Sequence, residues 1–308
     1  YIYMAIRRGP MAVPESATEV FAIDTSTSDS SGDVLASTFP VDAYLYGRRS
    51  GASHGLMARL TETRLFTDST SSEGSLGSYV DFDRQTGVKR NALLGNASTV
   101  DYMWKRAPSF FDVVTYTGTG VAGQSHNHNL GVAPEMIWIK NRDSATSSWQ
   151  TLHKLSDGTH VYGVLNNTAA LNSAVQHKFG DGTNFIAPTA TQFSVINNSA
   201  AGSSGANYIA YLFASVDGIS KVGSFVIDNS GGTLDVNCGF ASGARFVLFK
   251  RSSGGVGAWY VFDSERGITV NADPYLLLNS TSAEDTWTVM TPLSSGFTIA
   301  NNGSTGSG

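Results

Sequence analysis

Gly51-Ala52-Ser53-His54-Gly55 matches the G-x-S-x-G nucleophile elbow, in which a tight strand-to-helix turn lifts a serine hydroxyl above a parallel sheet. A strand-like phrase does precede it. The stretches at the corresponding places later in the chain, NRDSATSS from Asn141 and RSSGGVGA from Arg251, keep neither the serine nor the glycines in that register. A hairpin link accounts for all three, so an esterase reading needs Ser53 within reach of a histidine backed by a carboxylate. Gly118-Thr119-Gly120-Val121-Ala122-Gly123 likewise matches G-x-G-x-x-G after a strand. The dinucleotide fingerprint requires a helix after the last glycine, and QSHNHNLGVAP, with Pro134 and no apolar helical period, supplies none.

His126 and His128 stand two apart, which on an extended segment puts both on one face, as a shared metal would need. Their neighbours are Asn and Ser, and the reading is a solvated loop with no metal and no cofactor. The N-x-T triplets at Asn166 and Asn279 are formal glycosylation acceptors. Asp68 stands at the same place earlier in the chain, so a turn in which a short side-chain oxygen bonds the backbone two residues on explains the recurrence better.

A further set recurs three times: Arg48 with Arg49, Lys140 with Arg142, and Lys250 with Arg251, each following an apolar strand. One reading is a solvated strand end whose charges discourage edge pairing. The other is a rim for host-surface polysaccharide, with Trp149 and Trp259 as stacking plates for sugar faces. Leu56 takes the place of those tryptophans in the first occurrence. Core packing is the competing role for both. Trp104, Trp138, Phe110, Phe111, Tyr208 and Tyr211 lie inside apolar strands and read as core.

The elements that must carry these residues are short strands. Charged residues make up 15% of the 308 residues, while Gly, Ser, Thr, Asn and Ala abound and Val, Phe, Tyr and Trp lead the apolar set. This is a β composition. A net charge of −5 gives no global grip on nucleic acid, the lone Cys238 makes no internal disulfide, and no apolar run is long enough to insert in a membrane. The phrases DAYLYGRR from Asp42, EMIWIKNR from Glu135 and RFVLFKRS from Arg245 align residue by residue, as do FTDSTSSE from Phe66, VLNNTAAL from Val164 and LLNSTSAE from Leu277. Phrases beginning at Tyr1, Tyr102 and Tyr208 close the pattern. Turn clusters separate the strands at intervals that fit antiparallel sandwiches.

The fold class expected is therefore all-β: three tandem antiparallel β-sandwich repeats, jelly-roll-like and about 100 residues each, set in a row or as a pseudo-threefold cluster. The boundaries are 12–107, 108–217 and 218–308. Residues 1–11 form a strand belonging to an adjacent repeat or closing the third. Three solutions fit the apolar phrase from Tyr1 to Arg8: the polypeptide continues at both ends, which is preferred, or the phrase closes the third unit as a ring, or it completes a neighbouring subunit.

YIYMAIRRGPM, RAPSFFDVVTYTGTG, HNLGVAPEMIWIKNR, KVGSF and LNST together resemble the tandem repeat of tail-fibre and other virion structural proteins of marine cyanophages. The resemblance implies a non-enzymatic virion component that assembles an appendage or attaches it to the host, with other tail proteins as partners. It supplies no catalytic or binding residues. Homo-oligomers, a trimer above all, suit a fibre, since fibres close by rotational symmetry. The alternative function is a secreted carbohydrate-binding adhesion protein with a lectin-like site in each unit.

Overall fold

A computed structural model describes residues 11–25, 33–75, 80–90, 99–269 and 272–302. The phrase from Tyr1 to Arg8 lies outside the described residues. The protein is all-β, and among the described residues every pairing between strands is antiparallel.

Three large sheets dominate. The first has six strands in the order Phe21–Asp24, Thr99–Trp104, Ala43–Arg48, Gly55–Ala58, Thr63–Phe66 and Gly74–Ser75. The second has five, Phe111–Thr117, Asn207–Phe213, Met136–Asn141, Gln150–Lys154 and His160–Val164. The third has four, Phe246–Phe249, Tyr260–Asp263, Asp273–Leu277 and Asp285–Trp287. In the first two, a strand late in sequence lies between the opening strand and the aligned landmark strand. The ladders also match: Ala43 faces Trp104 and Met136 faces Phe213, while Ala58, His153 and Asp263 face Ala43, Met136 and Phe246.

The nearly unbroken apolar runs of these strands have a physical cause. The central strands of the first two sheets are covered on both faces, so both sets of their alternating side chains are buried. One face of each large sheet contributes to a common core that holds Leu45, Tyr102 and Trp104 with Trp138, Trp149 and Tyr211, and with Trp259, Val261 and Leu276. The opposite faces look outward into three separate cores, each capped by a small sheet. Tyr44, Tyr46 and Met57 meet Leu35 and Val88; Ile137, Ile139 and Leu212 meet Phe193 and Val195; Val247 and Phe262 meet Phe297 and Ile299. Each large aromatic so placed removes on the order of 150 to 250 Å² from water.

Two links pass the chain from sheet to sheet. After Trp104, Ala107 bridges Phe111; after Phe213, Val216 bridges Ser220. Each link turns through a left-handed residue at the same step, Ser109 (φ 63°) and Gly218 (φ 72°). LMARLTETRLF from Leu56 is a hairpin between Gly55–Ala58 and Thr63–Phe66, with Glu62 at φ 49° in its turn.

Candidate functional site

The recurring basic residues and tryptophans meet at the seams between the large sheets rather than at an open pocket. Trp149 is fully buried, and its indole Nε1 donates to the Phe66 carbonyl of the first sheet (2.8 Å). Trp259, 3% exposed, donates in the same way to the Val164 carbonyl of the second sheet (3.0 Å). Phe66 and Val164 hold matching places, opposite Gly55 and Gln150. Neither ring presents a face to solvent, so of the two readings core packing holds and sugar stacking does not, and both tryptophans act as struts between sheets.

The third seam runs from the first sheet back to the third. The ladders place His54, not Leu56, at the position of the two tryptophans, because Gly55, Gln150 and Tyr260 are the residues that follow it. This corrects the sequence alignment by two residues. The buried His54 ring accepts from the Arg48 amide through Nδ1 (3.0 Å) and sits beside the Leu277 and Ser280 backbone without closing a hydrogen bond through Nε2. Burial lowers its pKa. Thr67 makes the bond instead, donating from Oγ1 to the Leu278 carbonyl (2.8 Å).

The basic residues reinforce the same seams. Arg142 forms a fork with Glu73 (2.7 and 3.1 Å), and Arg49 forms one with Glu284 (2.9 and 2.8 Å). The backbone doubles each fork, since the Glu73 amide donates to the Arg142 carbonyl and the Glu284 amide to that of Arg49. Ser252 and Leu171 stand at the equivalent places of the remaining seam, so that seam has no such pair. Lys140 is fully buried and its ammonium donates to the carbonyls of Thr70, Asn141 and Ser144 at 2.8–3.2 Å. Burial pulls its pKa down to about 8. Lys250 donates to the Gly257 carbonyl and lies over the Trp259 ring, and its pKa also falls to about 8 through burial. Arg251 bonds the carbonyls of Ser253 and Gly254 in its own loop, and Arg48 lies over the Tyr46 ring. The reading as solvated strand ends therefore fits Arg251 and fails for Lys140 and Arg142, while Arg49, whose side chain is 37% exposed, is both solvated and paired.

A family model described as a domain of unknown function, DUF7483, matches residues 67–308. The chain belongs to that family. No curated protein and no solved structure matches it. The DUF7483 segment contains both tryptophan struts and both glutamates, while their partners Phe66 and Arg49, and His54, precede it.

The other motifs resolve into packing. Ser53 donates to Asp68 Oδ2 (2.9 Å), a carboxylate and not a histidine. The glycine-rich Gly118–Gly123 turn leads into the strand Gln124–Asn127, with no helix behind it. His126 stacks on Tyr116 at 3.8 Å, and burial pushes its pKa down to about 4; His128 is buried and bonds the Leu130 amide and the Thr189 carbonyl. These histidines are packed rather than solvated, and among the described residues no cluster of His, Cys, Asp and Glu forms a metal site. Asn166 and Asn279 do not bond two residues on. They accept the amides of Trp149 (2.9 Å) and Trp259 (2.7 Å), fixing the backbone from which each strut projects.

Sequence reasoning missed two buried polar groups. Asp101 accepts from Tyr44, Thr99 and Arg90, and burial raises its pKa to about 6. At the third seam Tyr102 donates to Asp263 (2.8 Å), which also holds Arg266 (2.6 Å), and Arg266 reaches Glu284 (3.1 Å). The glutamates did leave a signal: FTDSTSSE and LLNSTSAE both end on them.

Proposed function

We propose that this chain is a non-enzymatic structural module built from three copies of one β unit, working as part of a bacteriophage tail or tail fibre in appendage assembly and host attachment. The carrying observation is that Trp149 and Trp259, with Arg142, Arg49 and their glutamates, are consumed in fastening one sheet to the next. A module of that kind resists deformation, because separating two sheets exposes a buried indole and leaves a backbone carbonyl unpaired. The tail-fibre assignment rests on the resemblance of the strand and link phrases. Other tail proteins are then its partners, and a homotrimer of the module would suit a fibre.

Immunogold labelling of intact phage particles from a lysate in which this chain is made tests the reading. Gold on the tail or its fibres is the expected result. Label confined to the host envelope or to the medium, with clean particles, overturns it.

A further inference from the structure

The corner where the landmark strand begins has the same backbone pattern in the first two large sheets. The Asp42 amide donates to the Trp104 carbonyl and the Glu135 amide to that of Phe213, while the Arg59 amide donates to the Asp42 carbonyl and the Lys154 amide to that of Glu135. The carboxylates match too, since Asp42 accepts the Arg106 amide (2.7 Å) and Glu135 accepts the Ser215 amide (2.9 Å). The links that follow, bridged between Ala107 and Phe111 and between Val216 and Ser220, extend the match by one more residue, to Asp112 and Lys221.

The charges at these matching places differ. At the first corner two acids meet two bases: Arg59 lies 3.6 Å from Asp42, and Arg106 lies 2.5 Å from Asp112. At the second, serine stands in place of Arg106 and a lysine in place of Asp112, so one carboxylate is lost and a cation takes its position. Lys154 and Lys221 are both exposed, and among the described residues neither forms an ion pair. The third corner differs again. Arg245 holds the place of Glu135, since its carbonyl accepts the Ser264 amide, and it pairs with Glu265 (3.4 Å). Only the second corner leaves two bases unmatched.

Those two lysines, with Glu135 and Asp157, line a cleft of about 370 Å³ between the hairpin turn Leu155–Thr159 and the segment from Lys221 to Ser224. That volume suits a small ligand. Its walls are stitched together: the Ser156 amide donates to Ser224 Oγ (2.9 Å), the Ser156 hydroxyl to the Ser224 carbonyl (2.8 Å), and the Ser224 amide to Ser156 Oγ (2.8 Å). Each lining carboxylate has one oxygen committed. Glu135 Oε2 accepts the Ser215 amide and hydroxyl, and Asp157 Oδ1 accepts the amide and hydroxyl of Thr159, while the second oxygen of each takes no bond among the described residues. We infer that this cleft binds a carboxylated sugar, a hexuronate unit of an acidic polysaccharide. The sugar carboxylate supplies the negative charge that Asp112 supplies at the first corner and accepts from both ammonium groups; the ring hydroxyls donate to the open oxygens of Glu135 and Asp157. A bare phosphate would meet those two carboxylates with nothing to donate, so an acid group flanked by hydroxyls fits better. The choice of a polysaccharide as the source rests on the host-attachment reading.

Titration of the full chain with trigalacturonate, followed by amide NMR shifts, tests the assignment. The amides of Ser156, Gly158 and Val222 should shift together. Lys154→Gln should weaken binding roughly 10-fold, the loss of one hydrogen bond to a charged group. Lys221→Asp, which rebuilds the internal carboxylate of the first corner, should abolish the shifts. The indole signals of Trp149 and Trp259 report that each variant is folded, and if Lys221→Asp disturbs them, Lys154→Gln decides. Silence at the cleft amides overturns the proposal, as does unchanged affinity in the folded variants. Equal shifts with neutral trigalactose, or inorganic phosphate binding as tightly as trigalacturonate, overturn the carboxylated sugar as its ligand. The reading beneath fails separately: clean tails under immunogold with the titration intact remove host attachment and leave the cleft, and labelled tails with a silent cleft remove the cleft alone.

Discussion

The second and third large sheets start from the same kind of strand and end with different burial. In the second, Met136–Asn141 has a partner on each edge, and Ile137 and Ile139 are fully buried. In the third, Phe246–Phe249 has one partner among the described residues, and three of its four residues are partly exposed although all four are apolar. Apolar sequence sets how much surface a strand is able to bury, while edge pairing decides how much it does bury. The seams differ in a parallel way. The first and second sheets are joined by an indole bond and an ion-pair fork, and the second and third by an indole bond without a fork.

The largest expected effect breaks this comparison at its fully packed end. Trp149→Ala should cost about 3–5 kcal/mol in chemical denaturation, the range for emptying a large buried site. Phe249→Ala, in a half-covered strand, should cost clearly less, roughly 1–3 kcal/mol; equal losses would show that edge pairing does not govern burial here. Next comes Lys140→Met, which leaves three carbonyls without their donor and should cost about 2–3 kcal/mol, against roughly 1 kcal/mol for Lys250→Met with its single carbonyl partner.

Acid sharpens the contrast between sheets, because the second sheet carries a packed histidine where the third carries Asp263. Burial pushes His153 down to about 3, with Lys250 adding to the shift, and His126 down to about 4. Both are held neutral in the folded state while the unfolded chain takes up protons near pH 6.5. Their stabilisation is complete above that pH and is lost as pH falls toward 4, by roughly 1–3 kcal/mol in all. Asp101, raised to about 6, has the opposite sign: its contribution is present below its unfolded value and is lost as pH rises through about 6. His153→Gln should therefore flatten the acid limb of a melting-temperature profile. The smallest effect is Glu73→Gln at the partly exposed fork, about 0.5–1 kcal/mol, which should shrink at high salt.

The landmark strands were legible because both of their faces are apolar, so their alignment fixed the true ladder register. The tyrosine phrases were misaligned. The ladders match Tyr102 to Tyr211, not to Tyr208, and a strand rich in tyrosine offers several registers to the eye. His54 escaped notice as the residue that takes the tryptophans' place for a related reason: Leu56 lies two residues away on the same face, and apolarity favours the wrong member of the pair. The seam chemistry was only half legible. Glu73 and Glu284 recur at one spacing, yet their arginines lie 69 and 235 residues away in sequence, and only the packing of whole sheets brings them together. The lysine and arginine residues read as solvated because charge at a strand end normally faces water; at Lys140 and Arg142 the neighbouring sheet takes the place of that water.

Differential scanning calorimetry of the full chain tests the central claim, that the sheets share one core and are bound by their seams into a single cooperative body. A single transition whose calorimetric and van't Hoff enthalpies agree is the expected result. Separate transitions, one moved by Trp149→Ala and another only by Phe249→Ala, would contradict it.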